Sequence, residues 1–468
     1  MKSSKLLLVL KQLNRKERIA FRKFLHSPYF NHRRDVIDLY ECLQQQLKKE
    51  QPDLRKAHIY QLLFPDQPFD DQAFYLVTSY LLKLLEQFLA VQGFLNDQPA
   101  ANAYLIQDYK KKGLQKHLKY TIKQQKRQLE QYALRDSRYF EHLRNLSWQE
   151  YQLEEVKKPS GVLSLEALSK WTDVAYLSQK LRQICLFTAH QSVYQVAYEN
   201  AKPFIETIFH YLKHGEWIEI PAVGIYYHGY HVLKGEEETA HFEQFKQLLF
   251  DHANHFRASE VRELYLLAIN FCVKQVNKGN KSYFSEMLAL YQKGLELAVL
   301  LENGIISRFT YHNAVAAALQ IKAYDWAEQF IHQYQAYLAA DYQESTFHFN
   351  LARLEYEQSH YDHALDLLQK ANFQDVLLNL AAKTISLKIY YKLEAFDLLD
   401  AHLNAMNNFI RRNRVIGYHR KNYLNIIRYT KKLLGLNWFD RDLVQQLKGE
   451  IQGEEVLTEK EWFIQQLS

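Results

Sequence analysis

Three copies of one helix-pair pattern run from Phe309 to Met406, and they restrict this stretch to a stack of helices. Each copy has a small or apolar residue in a first helix, an aromatic at the turn nine positions on, and another small or apolar residue three later. The anchors are Val315, Tyr324 and Ala327; then Ala352, Tyr361 and Ala364; then Leu387, Phe396 and Leu399. An apolar residue follows four positions later each time, at Ile331, Leu368 and Leu403. Ala327 and Ala364 are 37 residues apart, and Ala364 and Leu399 are 35 apart. A period of this size marks helix–turn–helix units that bury their apolar faces by stacking on one another. Such a stack is a scaffold, and it points to binding rather than catalysis.

Composition agrees with helices throughout. Only 14 Gly and 8 Pro occur in 468 residues, too few for a fold rich in tight turns or phosphate-cradling loops. Hydrophobic residues make up 47%, which excludes extensive disorder. Alternating β-branched runs are nearly absent, and the best strand candidate is the short Trp217–Ile220. The expected class is all-α. The breaker Lys157-Lys158-Pro159-Ser160-Gly161 divides a helical N-terminal region, 1–161, from a helical-repeat domain, 162–468.

Local signals place the elements. Asn14 followed by Glu17 forms a capping box, with Ile19, Phe21, Phe24 and Leu25 as the apolar face behind it. Ser27-Pro28 stops that helix, because a residue before Pro avoids the helical region. A helix follows over about 33–49, and Asp70-Asp71 opens a longer one through Phe74, Leu81, Leu82, Leu85 and Phe88. One or two basic helices span Ala100–Glu155, and Leu163–Tyr198 reads as a single long helix carrying Trp171, Ala175, Leu181 and Ile184. From Pro221 the paired rhythm begins, with breaks at Gly235–Glu238 and Asn277–Asn280. A last pair covers Tyr418–Leu434 and Asp440–Ile451. A terminal helix with Trp462, Phe463 and Leu467 caps the open end.

The net charge of +6 is unevenly spread: residues 1–150 carry 26 Lys and Arg against 16 Asp and Glu. Eight cations and no acid lie in 109–129, and the same is true of 401–439. Cys42, Cys185 and Cys272 lack metal-ligand spacing and read as buried thiols in a reducing compartment. The run Leu6–Leu10 is too short for a secretory signal, and no run reaches the ~18 apolar residues of a membrane span. The expectation is a soluble cytoplasmic protein that binds no membrane.

The segment Asn350-Leu351-Ala352, Tyr361, Ala364, Leu368, Ala371 resembles a tetratricopeptide repeat, keeping the small residue of the first helix and the Tyr–Ala pair of the second. It lacks that family's Trp, central Gly–Tyr pairing and closing Pro. The chain is also similar to a group of bacterial helical-repeat proteins of unassigned activity. That similarity rests on Ser27-Pro28-Tyr29-Phe30-Asn31, Asn277-Lys278-Gly279-Asn280 and Tyr418-His419-Arg420-Lys421. The resemblance implies a right-handed α-solenoid of tetratricopeptide-like helix pairs. It also implies that the first helix of each pair lines a concave groove.

Carrying over the groove-facing positions gives His312, then Phe349, Arg353 and Tyr356, then Thr384, Lys388 and Tyr391. An aromatic groove with two cations suits an extended peptide bearing an acidic group. The alternative is that these aromatics pack against the next repeat. The second basic segment, Arg411, Arg412, Arg414, Arg420, Lys421, Arg428, Lys431 and Lys432, is interleaved with Tyr418, Tyr423 and Tyr429. Cations for phosphates and Tyr for stacking make a nucleic-acid partner the rival reading.

Enzyme signals are weak. Gly279-Asn280-Lys281-Ser282 lacks the upstream Gly of a phosphate loop. His228-x-x-His231 and His252-x-x-His255 each offer two imidazoles, short of the ligand set zinc needs. The sequence therefore predicts no catalytic residue, no metal and no cofactor. It predicts a non-enzymatic scaffold or adaptor for a protein or peptide.

Overall fold

The computed structural model describes residues 4–157, 165–194, 202–235, 238–370, 375–413 and 417–468, and forms two compact units, Met1–Tyr176 and Leu177–Ser468. The breaker at Lys158–Gly161, the loop residues Glu236 and Glu237, Ala371 and Arg414 lie outside the described residues.

The first unit is all helix. It contains α1 (Lys5–Gln12), α2 (Arg15–Leu25), α3 (Arg34–Leu47), α4 (Lys56–Leu63) and α5 (Asp71–Asn96). They are followed by α6 (Gln98–Lys111), α7 (Gln115–Glu130) and α8 (Ser137–Lys157). The capping box forms as expected: the Asn14 side chain accepts from the Glu17 amide at 2.9 Å, and the Glu17 carboxylate accepts from the Asn14 amide at 2.8 Å. Past the Ser27-Pro28 stop, the buried Asn31 Nδ2 donates to Leu25 O and Arg33 O, both at 3.0 Å, joining the end of α2 to the start of α3. Phe21, Phe24 and Leu25 are buried as expected, whereas Ile19 is exposed.

α5 packs on α1, α2 and α3, with Phe21 and Phe88 ring centroids 5.3 Å apart. This helix corrects one expectation, because by length and composition it is apolar enough to cross a membrane. Its Phe74, Val77, Leu81, Leu85 and Phe88 are buried in the core of this unit, the usual fate of a long apolar helix in a packed domain. The basic stretch forms three helices rather than one or two. The chain turns between α6 and α7 at Gly113, where φ is +70° and a side chain would be strained.

α9 (Leu165–Tyr194) crosses the division between the units and buries Ala175, Leu181 and Ile184. The second unit continues with α10 (Lys202–Leu212), α11 (Pro221–Lys234), α12 (Glu238–His252), α13 (Ala258–Asn277) and α14 (Tyr283–Glu296). Then come α15 (Arg308–Gln320), α16 (Tyr324–Tyr334), α17 (Gln343–Glu357), α18 (Tyr361–Lys370), α19 (Val376–Lys392) and α20 (Phe396–Arg412). The chain closes with α21 (Gly417–Leu434), α22 (Arg441–Gly453) and α23 (Lys460–Gln466). Helices pair in order, α11 with α12 through α19 with α20, and α15 touches α17 as α17 touches α19.

The repeat anchors explain that stacking. Val315, Ala327, Ile331, Ala352, Ala364, Leu387, Leu399 and Leu403 are all buried, while the turn aromatic varies from half-buried Tyr324 and Tyr361 to Phe396 at 48% exposure. A second period appears only in the backbone. Lys322, Ser359 and Glu394 sit at the same place in the three turns with φ of 59°, 65° and 55°. The next amide reaches back to a carbonyl five residues earlier each time: Ala323 N to Ala318 O, His360 N to Glu355 O, Ala395 N to Tyr390 O, at 2.8 to 3.0 Å. This is the left-handed C-cap that ends helices by satisfying their last carbonyls. Gly279 makes the same turn between α13 and α14, with Asn280 N donating to Gln275 O at 3.0 Å.

The strand expectation is corrected. Trp217–Ile220 lies on a 3-10 turn, Glu216–Glu219, and its continuation. The strands are instead Leu301–Glu302 and Ile305–Ile306, paired antiparallel across Asn303 and Gly304, both at positive φ. Asn-Gly is the two-residue hairpin signal, because both positions tolerate left-handed backbone.

Candidate functional site

The seven expected groove residues fall into two clusters on α15, α17 and α19. In the first, Asn350 Nδ2 donates to His312 Nδ1 at 2.8 Å and to Thr346 O at 2.7 Å. The His312 ring stands edge-on to Phe349 at 5.5 Å. Burial and the nearby Arg353 cation push the His312 pKa down to about 4. Arg353 Nη1 donates to His312 O at 3.3 Å and Asn350 Oδ1 at 3.4 Å, with its guanidinium 5.7 Å from the Phe349 ring centre. Burial lowers the Arg353 pKa, and Glu357 and Glu459 partly offset this. Among the described residues no carboxylate lies within 4 Å of that guanidinium.

In the second cluster Lys388 is ion-paired with Glu459, the residue before α23. Its ammonium is 5.9 Å from the Tyr356 ring and 5.8 Å from the Trp462 ring. Tyr391 meets Trp462 edge to face at 5.3 Å. The structure thus departs from the expected open groove at three of its residues. Lys388 already holds an internal carboxylate. Thr384 is buried, its hydroxyl donating to Leu380 O at 2.9 Å, and Phe349 is buried too. A helical residue four positions on offers a hydroxyl that carbonyl, so Thr384 serves its own helix. Glu459 could not be tied to Lys388 from spacing, since their contact is made only by the path of the chain.

The basic segment is partly neutralised. Arg428 pairs with Glu454 at 2.9 Å, Lys421 with Glu454 at 3.8 Å, and Lys432 with Glu450, while Lys431 donates to Asn404 at 3.2 Å. Arg411, Arg412 and Arg420 are exposed and make no ion pair among the described residues. In the first unit, Lys116, Lys119, Lys123 and Arg127 lie exposed on α7 around Tyr120, which is 65% exposed. The neighbouring cations Lys112 and Lys126 are paired with Asp108 and Glu150.

The histidine motifs meet more than spacing showed. His241 on α12 stacks on His231 at 4.2 Å, and His228 Nδ1 lies 2.8 Å from His241 Nδ1. Burial and these neighbouring imidazoles push the His228 pKa down to about 4. Among the described residues no group of three His, Cys, Asp or Glu is arranged to hold a metal ion. In the Gly279–Ser282 turn Lys281 is paired with Glu461 at 2.6 Å.

A cavity of about 720 Å³ opens between α9, α11 and α13, lined by Leu186, Val232, Leu264, Leu267 and Phe271. Its polar wall holds Arg182, paired with Glu263 at 2.8 Å and Glu260 at 3.6 Å, and Tyr226, whose hydroxyl donates to Glu260. Cys185 lines it as well, its thiol donating to Tyr226 O at 3.3 Å. Burial raises the Cys185 pKa and pushes that of Cys272 to about 12, so both thiols are held protonated and unreactive.

No protein-family model, no curated protein and no solved structure matches this chain.

Proposed function

We propose that the second unit is a non-enzymatic adaptor that binds an acidic segment of another protein on the surface of α15, α17 and α19. In this reading the paired helices wind as a right-handed, tetratricopeptide-like solenoid, and the protein works in the cytoplasm. Arg353 carries the proposal. A partly buried guanidinium 5.7 Å from the Phe349 ring centre, with Glu357 and Glu459 near but no carboxylate in ion-pair contact, offers a bidentate fork to an acidic side chain. Its hydrogen bonds to His312 O and Asn350 Oδ1 hold the fork in place before a ligand arrives. Losing one charge-assisted contact weakens binding by about 1.5–3 kcal/mol, roughly ten- to a hundredfold. The test is affinity capture from lysate with wild-type chain and Arg353→Ala, each with and without nuclease. Partners that survive nuclease and are lost with Arg353→Ala support the adaptor. Partners kept at full strength by a normally melting Arg353→Ala variant place the contact elsewhere.

A nucleic-acid-associated role is the second reading, and the exposed cations around Tyr120 on α7 favour it. Such a stripe supplies phosphate contacts and a stacking ring. Its signature is partners that vanish on nuclease treatment, with capture falling steeply as salt rises.

A further inference from the structure

Building on the adaptor reading, we propose that the α17–α19 surface recognises a peptide motif of one acidic residue followed, three positions later, by an aromatic. The chain's own Glu459-x-x-Trp462 is the built-in occupant that a partner displaces.

The tail and the surface are complementary in chemistry. The surface presents Lys388 and Arg353 with Tyr356 and Tyr391. The tail presents Glu459 to Lys388 and lays Trp462 against that ammonium and the Tyr391 ring. A cation 5.9 Å and 5.8 Å from two rings with a carboxylate beside it is a partly desolvated, multi-part contact of the kind that reads sequence. The tail reaches a second, distant element as well: Glu461 pairs with Lys281 in the α13–α14 turn.

The tail is also separable. α23 has seven residues, and a helix that short has no stability of its own in water. Phe463 anchors it in the C-terminal core against Tyr429, so release is a local opening of the Glu459 and Trp462 contacts that leaves the α17–α20 backbone hydrogen bonds intact. Arg353 supplies the preference for a partner: Glu357 and the tail's Glu459 act on it without pairing with it, and a peptide carboxylate in direct contact adds what the tail lacks. One such contact is worth roughly ten- to a hundredfold. A tethered tail has an effective concentration on the order of millimolar. Wild-type protein should therefore bind a free peptide carrying only the tail motif weakly, and loosening the tail should reveal the surface.

The probe is a fluorescein-labelled synthetic peptide of residues 454–468, titrated by anisotropy into full-length protein. Glu459→Gln with Trp462→Ala in the chain loosens the tail and should tighten peptide binding at least tenfold over wild type. Adding Lys388→Glu should remove that gain. The proposal is overturned if the loosened variant keeps its helical circular dichroism and cooperative melt yet binds no tighter than wild type. Hydrogen exchange on the wild-type chain tests it even if the variant fails to fold. Amides of 460–467 should exchange ahead of those in 380–392, and exchange in step with that helix would overturn the idea. Loss of partners in Arg353→Ala with no peptide binding by the folded loosened variant sinks this inference and leaves the adaptor. Peptide binding by that variant, with all partners kept in Arg353→Ala, supports motif recognition at Lys388 and overturns the role given to Arg353.

Discussion

Lys388 and Glu459 form an ion pair across 71 positions of sequence, with the lysine ammonium 5.9 Å from the Tyr356 ring and 5.8 Å from the Trp462 ring. The Lys388 side chain is 16% exposed, so the pair sits at the edge of the protein interior rather than in bulk water. A carboxylate there offsets the desolvation of the ammonium, and two π faces add to it.

Removing one partner should therefore show. Glu459→Ala leaves the Lys388 ammonium without its counter-ion and should destabilise the second unit by about 1–3 kcal/mol. A double-mutant cycle with Lys388→Met, read by urea unfolding, should give a coupling of at least about 0.5 kcal/mol. Simple additivity of the two changes would show that the pair contributes nothing.

The repeat anchors divide by burial. Leu403 is fully buried in the C-terminal core, and Leu403→Ala should cost about 2–5 kcal/mol through lost transfer energy and the cavity left behind. Phe396 holds the turn position of the same repeat but is half exposed, so Phe396→Ala should stay within about 1 kcal/mol. Equal losses in chemical denaturation would contradict this division.

Glycine should improve the repeat turns. Lys322, Ser359 and Glu394 adopt left-handed backbone that disfavours a side chain by roughly 1 kcal/mol each. Glu394→Gly should raise the midpoint of unfolding, offset in part by the extra freedom glycine has when unfolded. Glu394→Val should lower it. The opposite order would mean that the side chain at this position makes a contact that outweighs the strain.

Acid should weaken the second unit as its buried histidines take up protons. His228 and His312 have pKa values pushed down from 6.5 to about 4, so the unfolded chain binds more protons between those values. Their contribution is fully present above pH 6.5 and is lost as pH falls towards 4. The slope per histidine is at most about 1.4 kcal/mol per pH unit. His312→Gln should flatten the fall of the urea midpoint between pH 6.5 and 4.5. An unchanged slope would show that His312 titrates normally.

The Arg182 network makes a strong prediction about stability. Glu260 is buried beside Arg182 and the Tyr226 hydroxyl. Arg182→Ala removes a cation from a buried carboxylate and should cost about 3 kcal/mol. Lys112→Ala breaks only the exposed, solvent-screened pair with Asp108 and should leave the melting midpoint essentially unchanged. Comparable thermal shifts for the two variants would refute the distinction.

Local chemistry determined much of this protein. Short-range spacing located the repeat helices, because an apolar face recurring every three or four residues can be buried in only one way. It also placed the capping box at Asn14 and Glu17, a contact within one helical turn. Two local features stand outside that periodicity: Asn303-Gly304, which makes the only strand pair among the described residues, and the left-handed turns, whose Lys, Ser, Glu and Gly share no side-chain signature. Contacts between distant segments were decided by tertiary structure alone. The sequence placed Arg353 and Lys388 at equivalent positions one repeat apart, and nothing nearby distinguished them. Packing left Arg353 without a carboxylate and brought Glu459 to Lys388, His241 to His231, and Glu260 to Arg182. Which cation is occupied depends on where the chain returns in space, and residue spacing carries no record of that path.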